Sequence, residues 1–142
     1  MRKLFLFMSL SLLCPALWAQ VQTADDRFLT ATAAYSEGQT AQAKEIFAQL
    51  HSQDPDDDAV NYYLGLCELS LQELDAAEEH LQAAVQADST NTWYIYAMAS
   101  LYDARQDQIR SGEYVEKLVR LSPSLYNNPN TLSMVADAKA AA

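Results

Sequence analysis

An acidic run and two histidines are the residues whose types could bind a metal ion. The run DPDDD at positions 54–58 has the oxygen ligands that Ca²⁺ prefers, but no turn Gly or bidentate Glu follows at EF-hand spacing. The dipole of a helix favours carboxylates at its N-terminus, so we interpret the run as a turn that leads into a helix. His51 and His80 have no Cys or second His at ligand spacing, and a zinc site needs three or four ligands. We therefore predict no metal and two surface histidines.

The sequence also has no motif that is typical of nucleophilic catalysis or of cofactor binding. The sequence has no Gly-rich phosphate loop, nucleophile elbow or pair of acids at a catalytic spacing. Cys67 lies within an apolar helical pattern, which favours a buried, inert thiol over a bridge between chains. The sequence therefore predicts no catalytic residues, no cofactor and no enzymatic activity.

The N-terminus has the layout of a secretory signal peptide. Arg2 and Lys3 precede the short apolar run from Leu4 to Ala19, which ends in small residues. A membrane anchor is the alternative, but this run is interrupted by Pro15 and is shorter than the about 20 residues that a spanning helix needs. We predict cleavage after Ala19, a periplasmic or secreted protein, and no stable membrane insertion after cleavage.

The net charge of the chain is −10. An acidic surface repels phosphate backbones, and the sequence has no cluster of Lys and Arg that would offset this repulsion. These properties argue against nucleic-acid binding and against binding to anionic membrane surfaces.

The chain after the apolar run repeats with a period of 34 residues. Columns at this spacing agree in size and polarity: Ala31, Gly65 and Ala99; Phe28, Tyr62 and Tyr96; Ala43, Ala77 and Ser111; Phe47, Leu81 and Val115; Leu50, Ala84 and Leu118; Pro55, Ser89 and Pro123. Within one period, the apolar spacing predicts helices at Ala59–Leu71 and Leu74–Ala87. We expect Asp58 and Thr92 to cap helices, and Gly38 to form a turn.

The middle period, DAVNYYLGLCELSLQELDAAEEHLQAAVQADST, resembles a tetratricopeptide repeat (TPR). Matches to the family pattern are Leu64, Gly65, Ala43, Phe47, Tyr102, Pro55 and Pro123. Departures are Arg27, Asn61 and Ile95 in place of Trp, Glu68 in place of Tyr, Ser89 in place of Pro, and Ser111 with Val115 in place of Ala and Phe. The resemblance covers residues 24–125, as units 24–57, 58–91 and 92–125.

The resemblance implies an all-α fold, a right-handed superhelical array of three helix-turn-helix hairpins. Residues 126–142, with a helix start at Asn128 and Pro129, would form a capping helix, begin a further repeat or be a frayed tail. Gly65 is explained as the site of a close approach to the second helix at Ala77.

In TPR proteins the first helices line a concave groove that binds peptides. Carried over by register, the groove residues are Phe28, Thr32, Tyr35, Ala59, Tyr62, Leu66, Leu69, Trp93, Tyr96, Ser100 and Asp103. We expect Tyr62, Trp93 and Tyr96 to be exposed, whereas Leu66 and Leu69 suit the groove and the core equally. No Lys or Arg lies at these positions, which argues against a clamp for a terminal carboxylate.

The function predicted from the sequence is that of an exported adaptor with a protein or peptide ligand. The alternatives are a structural module that associates with itself through its open end, and the N-terminal part of a longer TPR protein.

Overall fold

A computed structural model describes residues 23–124 together with Pro129, Leu132, Ser133, Ala136 and Ala140. The predicted signal peptide, residues 1–19, lies outside the described residues. So does most of the predicted capping segment 126–142, in which the five described residues are helical.

Residues 23–124 form six α-helices in three successive hairpins, and no strand occurs within that range. The helices are α1 Ala24–Ser36, α2 Thr40–Gln53, α3 Asp58–Ser70, α4 Leu74–Ala87, α5 Thr92–Ala104 and α6 Gln108–Leu121. Each helix start and end recurs in the next hairpin after 34 residues, the period of the sequence columns. The predicted helix α4 has the expected bounds, and α3 begins and ends one residue earlier than expected.

Side-chain caps fix the starts of the first helices. Thr23 forms a capping box with Asp26: its Oγ1 accepts from the Asp26 N–H at 3.1 Å, and its own N–H donates to the Asp26 carboxylate. The caps of α3 and α5 are Asp57 and Asn91, so the prediction of Asp58 and Thr92 as caps is wrong by one residue. Asp57 Oδ1 accepts from the Val60 N–H at 2.9 Å, which satisfies a backbone donor that the helix leaves unpaired.

The turn inside each hairpin uses one left-handed residue. Gly38 has a φ of 81°, as expected for a glycine at a helix C-terminus. The equivalent residues one and two periods later are Gln72 at 63° and Gln106 at 59°. The backbone of the turn is therefore repeated even where its glycine is not.

The buried side chains form clusters between hairpins. One cluster joins the first hairpin to α3, and another joins α4 to α5. The first contains Ala31, Ala34, Ala43, Phe47, Leu50, Val60, Leu64 and Cys67; the second contains Ala77, Leu81, Ala84, Val85, Tyr94, Ala97, Met98, Leu101 and Tyr102. Because these clusters bridge neighbouring hairpins, the array is stabilised by stacking as well as within each hairpin.

Gly65 is buried in α3, where the chain has no room for a side chain. A Cβ at this position would lie 2.6 Å from Cγ of Leu81 and 3.2 Å from the Leu81 backbone nitrogen. The glycine thus permits a close approach of α3 to α4, as expected, and the three atoms nearest to the added Cβ all belong to Leu81. The packing gained offsets the about 1 kcal/mol that a glycine costs a helix.

Candidate functional site

The first helices of the three hairpins form one continuous surface. Helix α1 contacts α3, and α3 contacts α5, although each pair is separated in sequence by a second helix. We call the surface that carries the predicted groove residues of α1, α3 and α5 the first-helix face.

In α1 the predicted groove residues lie partly in the core. The Phe28 ring makes edge-to-face contacts with Phe47 at 5.6 Å and Tyr63 at 5.5 Å, and Tyr35 contacts Tyr63 at 6.3 Å. Thr32 is partly buried and its hydroxyl donates to the Leu29 carbonyl. Phe28 and Tyr35 therefore support the junction between the first two hairpins and leave part of their rings on the surface.

In α3 the predicted residues are also partly buried. The centre of the Tyr62 ring lies 5.0 Å from that of Tyr94 and 5.2 Å from that of Tyr63. Leu66 and Leu69 pack against the buried cluster that contains Tyr94. Burial, with smaller contributions from neighbouring tyrosines, raises the pKa of Tyr62 to about 12. Tyr62 is thus less exposed than the sequence suggests, because α5 packs against it.

In α5 the predicted residues differ strongly in exposure. Trp93 is 69% exposed, whereas Tyr96 packs against Ala99 and Val115. The Ser100 hydroxyl donates to the Tyr96 carbonyl, and the exposed Asp103 carboxylate accepts from Gln108 Nε2 at 3.3 Å. Trp93 is therefore the residue of the face with the most apolar surface available to a partner.

A cavity of about 240 Å³ opens between the N-terminal ends of α1 and α3. Phe28 and Ala59 were predicted for the groove; the sequence reasoning missed the other lining residues, Ala24, Asp25, Leu50, Asp57 and Val60. Asp25 is equivalent by period to Ala59 and Trp93, so the register alone could have placed it on this face.

The charge around the first-helix face is negative. Arg27 is the only basic residue in α1, α3 and α5, and its guanidinium donates to Gln49 in α2 at 3.2 Å. Lys44 of α2 pairs with Glu73. Among the described residues, the three first helices therefore offer no basic pair that could clamp a carboxylate.

Comparison with known proteins bears on this arrangement. The sequence pattern of the tetratricopeptide repeat matches residues 28–92. Residues 28–92 are therefore similar to the TPR family. No curated protein matches the chain in sequence.

Solved TPR structures share the fold of the chain over most of its length. The first TPR of Spaghetti (RPAP3), bound to the HSP90 peptide SRMEEVD, superimposes with a TM-score of 0.74 at 16% identity over 83% of this chain and 91% of that one. The Yersinia enterocolitica type III secretion chaperone SycD, in complex with a peptide of the translocator YopD, has a TM-score of 0.74 at 16% identity over 86% and 98%. The second TPR domain of human RPAP3, in complex with the HSP70 peptide SGPTIEEVD, has 0.70 at 15% over 82% and 94%. At these identities the likeness establishes the fold alone.

The two histidines are partly buried, whereas the sequence analysis predicted surface histidines. His80 Nδ1 lies 2.7 Å from Glu68 Oε2, with side-chain exposures of 17% for His80 and 5% for Glu68. The partly buried His51 ring meets the His80 ring edge-on at 4.9 Å. Glu68 occupies the position where the TPR pattern has Tyr. A carboxylate at this buried position needs a polar partner on the neighbouring helix, and this departure from the pattern was the signal in the sequence.

The contact with Glu68 raises the pKa of His80, first through the hydrogen bond and then through the charges of Glu68 and Glu79. A raised pKa means that the stabilisation is complete below the unfolded value of about 6.5 and declines as pH rises through the folded pKa. We predict that His80→Gln lowers the free energy of unfolding by about 1.5–3 kcal/mol at acidic pH, as expected for a hydrogen bond to a charged group, and by less at alkaline pH.

Urea unfolding of wild type and His80→Gln from about pH 5.5 to about pH 8.5 measures this difference. In a Glu68→Gln background the pH dependence of the difference should be much smaller, because the hydrogen bond to the carboxylate is lost and the weaker effect of Glu79 remains. This comparison distinguishes the effect of Glu68 from that of the neighbouring His51. A difference that stayed constant or grew with rising pH would contradict the pairing.

The remaining sequence candidates have structural roles. Asp54 and Asp57 of the acidic run accept backbone N–H groups, and within the described residues no group of His, Cys, Asp and Glu is arranged to bind a metal ion. Cys67 is fully buried, and burial raises the pKa of its thiol to about 11, which disfavours the reactive thiolate. In the described part of the chain, no helix is long and apolar enough to cross a membrane.

Proposed function

We propose that this chain is an exported adaptor that binds a segment of another protein on its first-helix face. The observation that supports this proposal most directly is the exposure of Trp93, at 69%, on the face where TPR register places ligand contacts. Tryptophan is enriched among the residues that contribute most to binding energy, because it offers a large contact area at low entropic cost.

The half-buried aromatic rings of the first-helix face suit the same role. Phe28, Tyr62 and Tyr96 are held by core contacts, so ligand binding would cost little of the conformational freedom of these side chains. The structural relatives support the proposal by analogy, because the RPAP3 domains and SycD were solved with bound peptides. Binding, without catalysis, is the activity that we propose.

Export is a separate part of the proposal and rests on the N-terminal sequence. Two basic residues followed by a short apolar run ending at Ala19 are the features that a signal peptidase substrate has. N-terminal sequencing of the protein recovered from its host tests this part: Gln20 as the first residue supports cleavage, and retention of Met1 or Arg2 contradicts it.

Binding can be tested before the natural partner is identified. Peptides selected from a random display library on the wild-type chain would be measured against two variants, Trp93→Ala and Ile109→Ala. Ile109 is the matched control, because it is 61% exposed but lies on α6, outside the first-helix face. We expect Trp93→Ala to weaken the selected peptides about tenfold and Ile109→Ala to change them less than twofold, each tenfold step being about 1.4 kcal/mol.

Peptides that bound Trp93→Ala as tightly as wild type, or that lost affinity only in Ile109→Ala, would contradict binding on the first-helix face. Circular dichroism of both variants, compared with wild type, shows whether the fold is retained.

Self-association is the second candidate function. Helix α6 leaves Ile109 and Leu121 exposed at the end of the described array, and SycD has been crystallised as an alternative dimer. Sedimentation velocity over a range of concentrations distinguishes the candidates. A dimer that dissociates in Ile109→Asp supports self-association, whereas a monomer at all concentrations contradicts self-association and favours the adaptor function.

A further inference from the structure

The cavity between α1 and α3 combines apolar walls with two carboxylates. Phe28, Leu50 and Val60 supply apolar lining, and Asp25 and Asp57 supply the acidic groups, around a volume of about 240 Å³. A space of this kind matches a long side chain with an aliphatic stem and a polar end, since such side chains bury their methylene groups and keep the head group hydrated.

Neither carboxylate is neutralised by a described basic residue. Asp57 Oδ1 accepts the Val60 N–H, while no described side chain pairs with Asp57 Oδ2 or with the exposed Asp25. The nearest Arg and Lys in sequence are engaged elsewhere, Arg27 with Gln49 and Lys44 with Glu73. A positive charge entering the cavity would therefore find partners that are not already paired.

We propose that this cavity receives a Lys or Arg side chain of the partner, so that the ligand of the first-helix face is a cationic peptide segment. The inference deepens the proposed function and rests on it. The stem of the basic residue would pack on Phe28 and Val60, and its head group would donate charge-assisted hydrogen bonds to Asp25 and Asp57. Charge complementarity with a chain of net charge −10 would also speed the encounter with such a segment.

Trp93 lies where the neighbouring part of the same segment would contact the face. The hydroxyl of the adjacent Tyr94 donates to the Asp58 carboxylate at 3.0 Å, which holds the N-terminal end of α5 against that of α3. The exposed indole thus flanks the end of the face that contains the cavity, and the face of an indole ring attracts a cation. An acidic segment such as SRMEEVD, found with the RPAP3 domain, has the opposite charge.

Small probes test the cavity directly. The probes are N-acetyl-arginine amide, N-acetyl-lysine amide and the neutral isostere N-acetyl-citrulline amide, titrated into the ¹⁵N-labelled full chain. We expect saturable amide shifts at Asp25, Phe28, Ala59 and Val60 with the two cations, and at least tenfold weaker binding of the citrulline probe. Added salt should weaken the cationic probes, because screening reduces their attraction to exposed carboxylates.

Matched variants assign the effect to the two carboxylates. In Asp25→Asn/Asp57→Asn the arginine probe should bind about tenfold more weakly, and Asn at position 57 preserves the helix cap. The single variants Asp57→Asn and Asp56→Asn each remove one charge from the same turn, but Asp56 does not line the cavity. Asp57→Asn should therefore weaken the arginine probe, and Asp56→Asn should change its binding less than twofold. Equal binding of citrulline and arginine, equal losses in Asp56→Asn and Asp57→Asn, or no saturable shift at the cavity would each overturn the inference.

Failure of this inference differs from failure of the adaptor proposal. Display-selected peptides that need Trp93 but no basic residue would reject the cationic segment and retain the adaptor. Arginine binding in the cavity, with no peptide dependent on Trp93, would support the cation site and reject the adaptor.

Discussion

Replacement of Phe47 with alanine should lower the free energy of unfolding by about 3–5 kcal/mol, the cost of removing a buried aromatic side chain and leaving a cavity. Phe47 is fully buried in α2, and its ring stacks on Tyr63 of α3 at 5.3 Å and meets Phe28 of α1 edge-on. The side chain therefore joins the first hairpin to the second, and its loss weakens the stacking on which the array depends.

Chemical denaturation followed by circular dichroism measures this cost. Trp93→Ala is the control, since it also removes an aromatic ring but from an exposed site, and should cost much less than Phe47→Ala. A Phe47→Ala midpoint equal to that of wild type would show that the first two hairpins do not pack through this ring.

Replacement of Gly65 with leucine should destabilise the chain by about 1–3 kcal/mol through overpacking. Even the Cβ would lie 2.6 Å from Cγ of the fully buried Leu81 and 3.2 Å from its backbone nitrogen, so α3 and α4 must separate. The better helix propensity of leucine recovers less than about 1 kcal/mol of this cost.

Two further variants isolate the contact with Leu81. Ala48→Leu places the same side chain on an exposed site of α2 and should leave stability almost unchanged. Gly65→Ala should cost less in a Leu81→Ala background than alone, because the clashing side chain is then absent. Additive effects of these two substitutions would place the cost of Gly65 replacement elsewhere.

The repeat and its helices could be predicted from the sequence because one physical pattern recurs. Small, aromatic and aliphatic columns 34 residues apart define the buried side of each helix, and the observed helix bounds follow the same period. The caps were displaced by one residue, since each turn offers two adjacent side chains that can cap a helix, Asp57 and Asp58 before α3 and Asn91 and Thr92 before α5. The contact of Gly65 with Leu81 could not be predicted, because a column identifies which residues are small but not how far two helices slide along each other.

The partners of the residues that depart from the TPR pattern could not be predicted from the sequence. Asn61 stands in the Trp column, and its buried amide donates to the carbonyls of Pro55 and Asp57 at 2.8 and 2.9 Å. Glu68 stands in the Tyr column and pairs with His80. The Asn61 amide nitrogen and the Glu68 carboxylate each have a partner across a turn or a helix crossing, which only the assembled structure brings close, while the buried Asn61 Oδ1 has no partner among the described residues.

The exposure of the predicted groove residues was harder to foresee than their position. Register places Tyr62, Trp93 and Tyr96 in the first helices, but the depth of each ring depends on how closely the next hairpin packs. Tyr94 and Val115 partly cover Tyr62 and Tyr96, whereas nothing comparable among the described residues covers Trp93.

Chemical-shift mapping tests the central claim that the first-helix face binds a partner segment. The ¹⁵N-labelled full chain would be titrated with a peptide selected on the wild-type protein, and the amide and indole shifts would be assigned to helices. We predict that the largest changes fall on α1, α3 and α5 and include the Trp93 indole. Changes confined to α2, α4 and α6, with the Trp93 indole unmoved, would contradict the account.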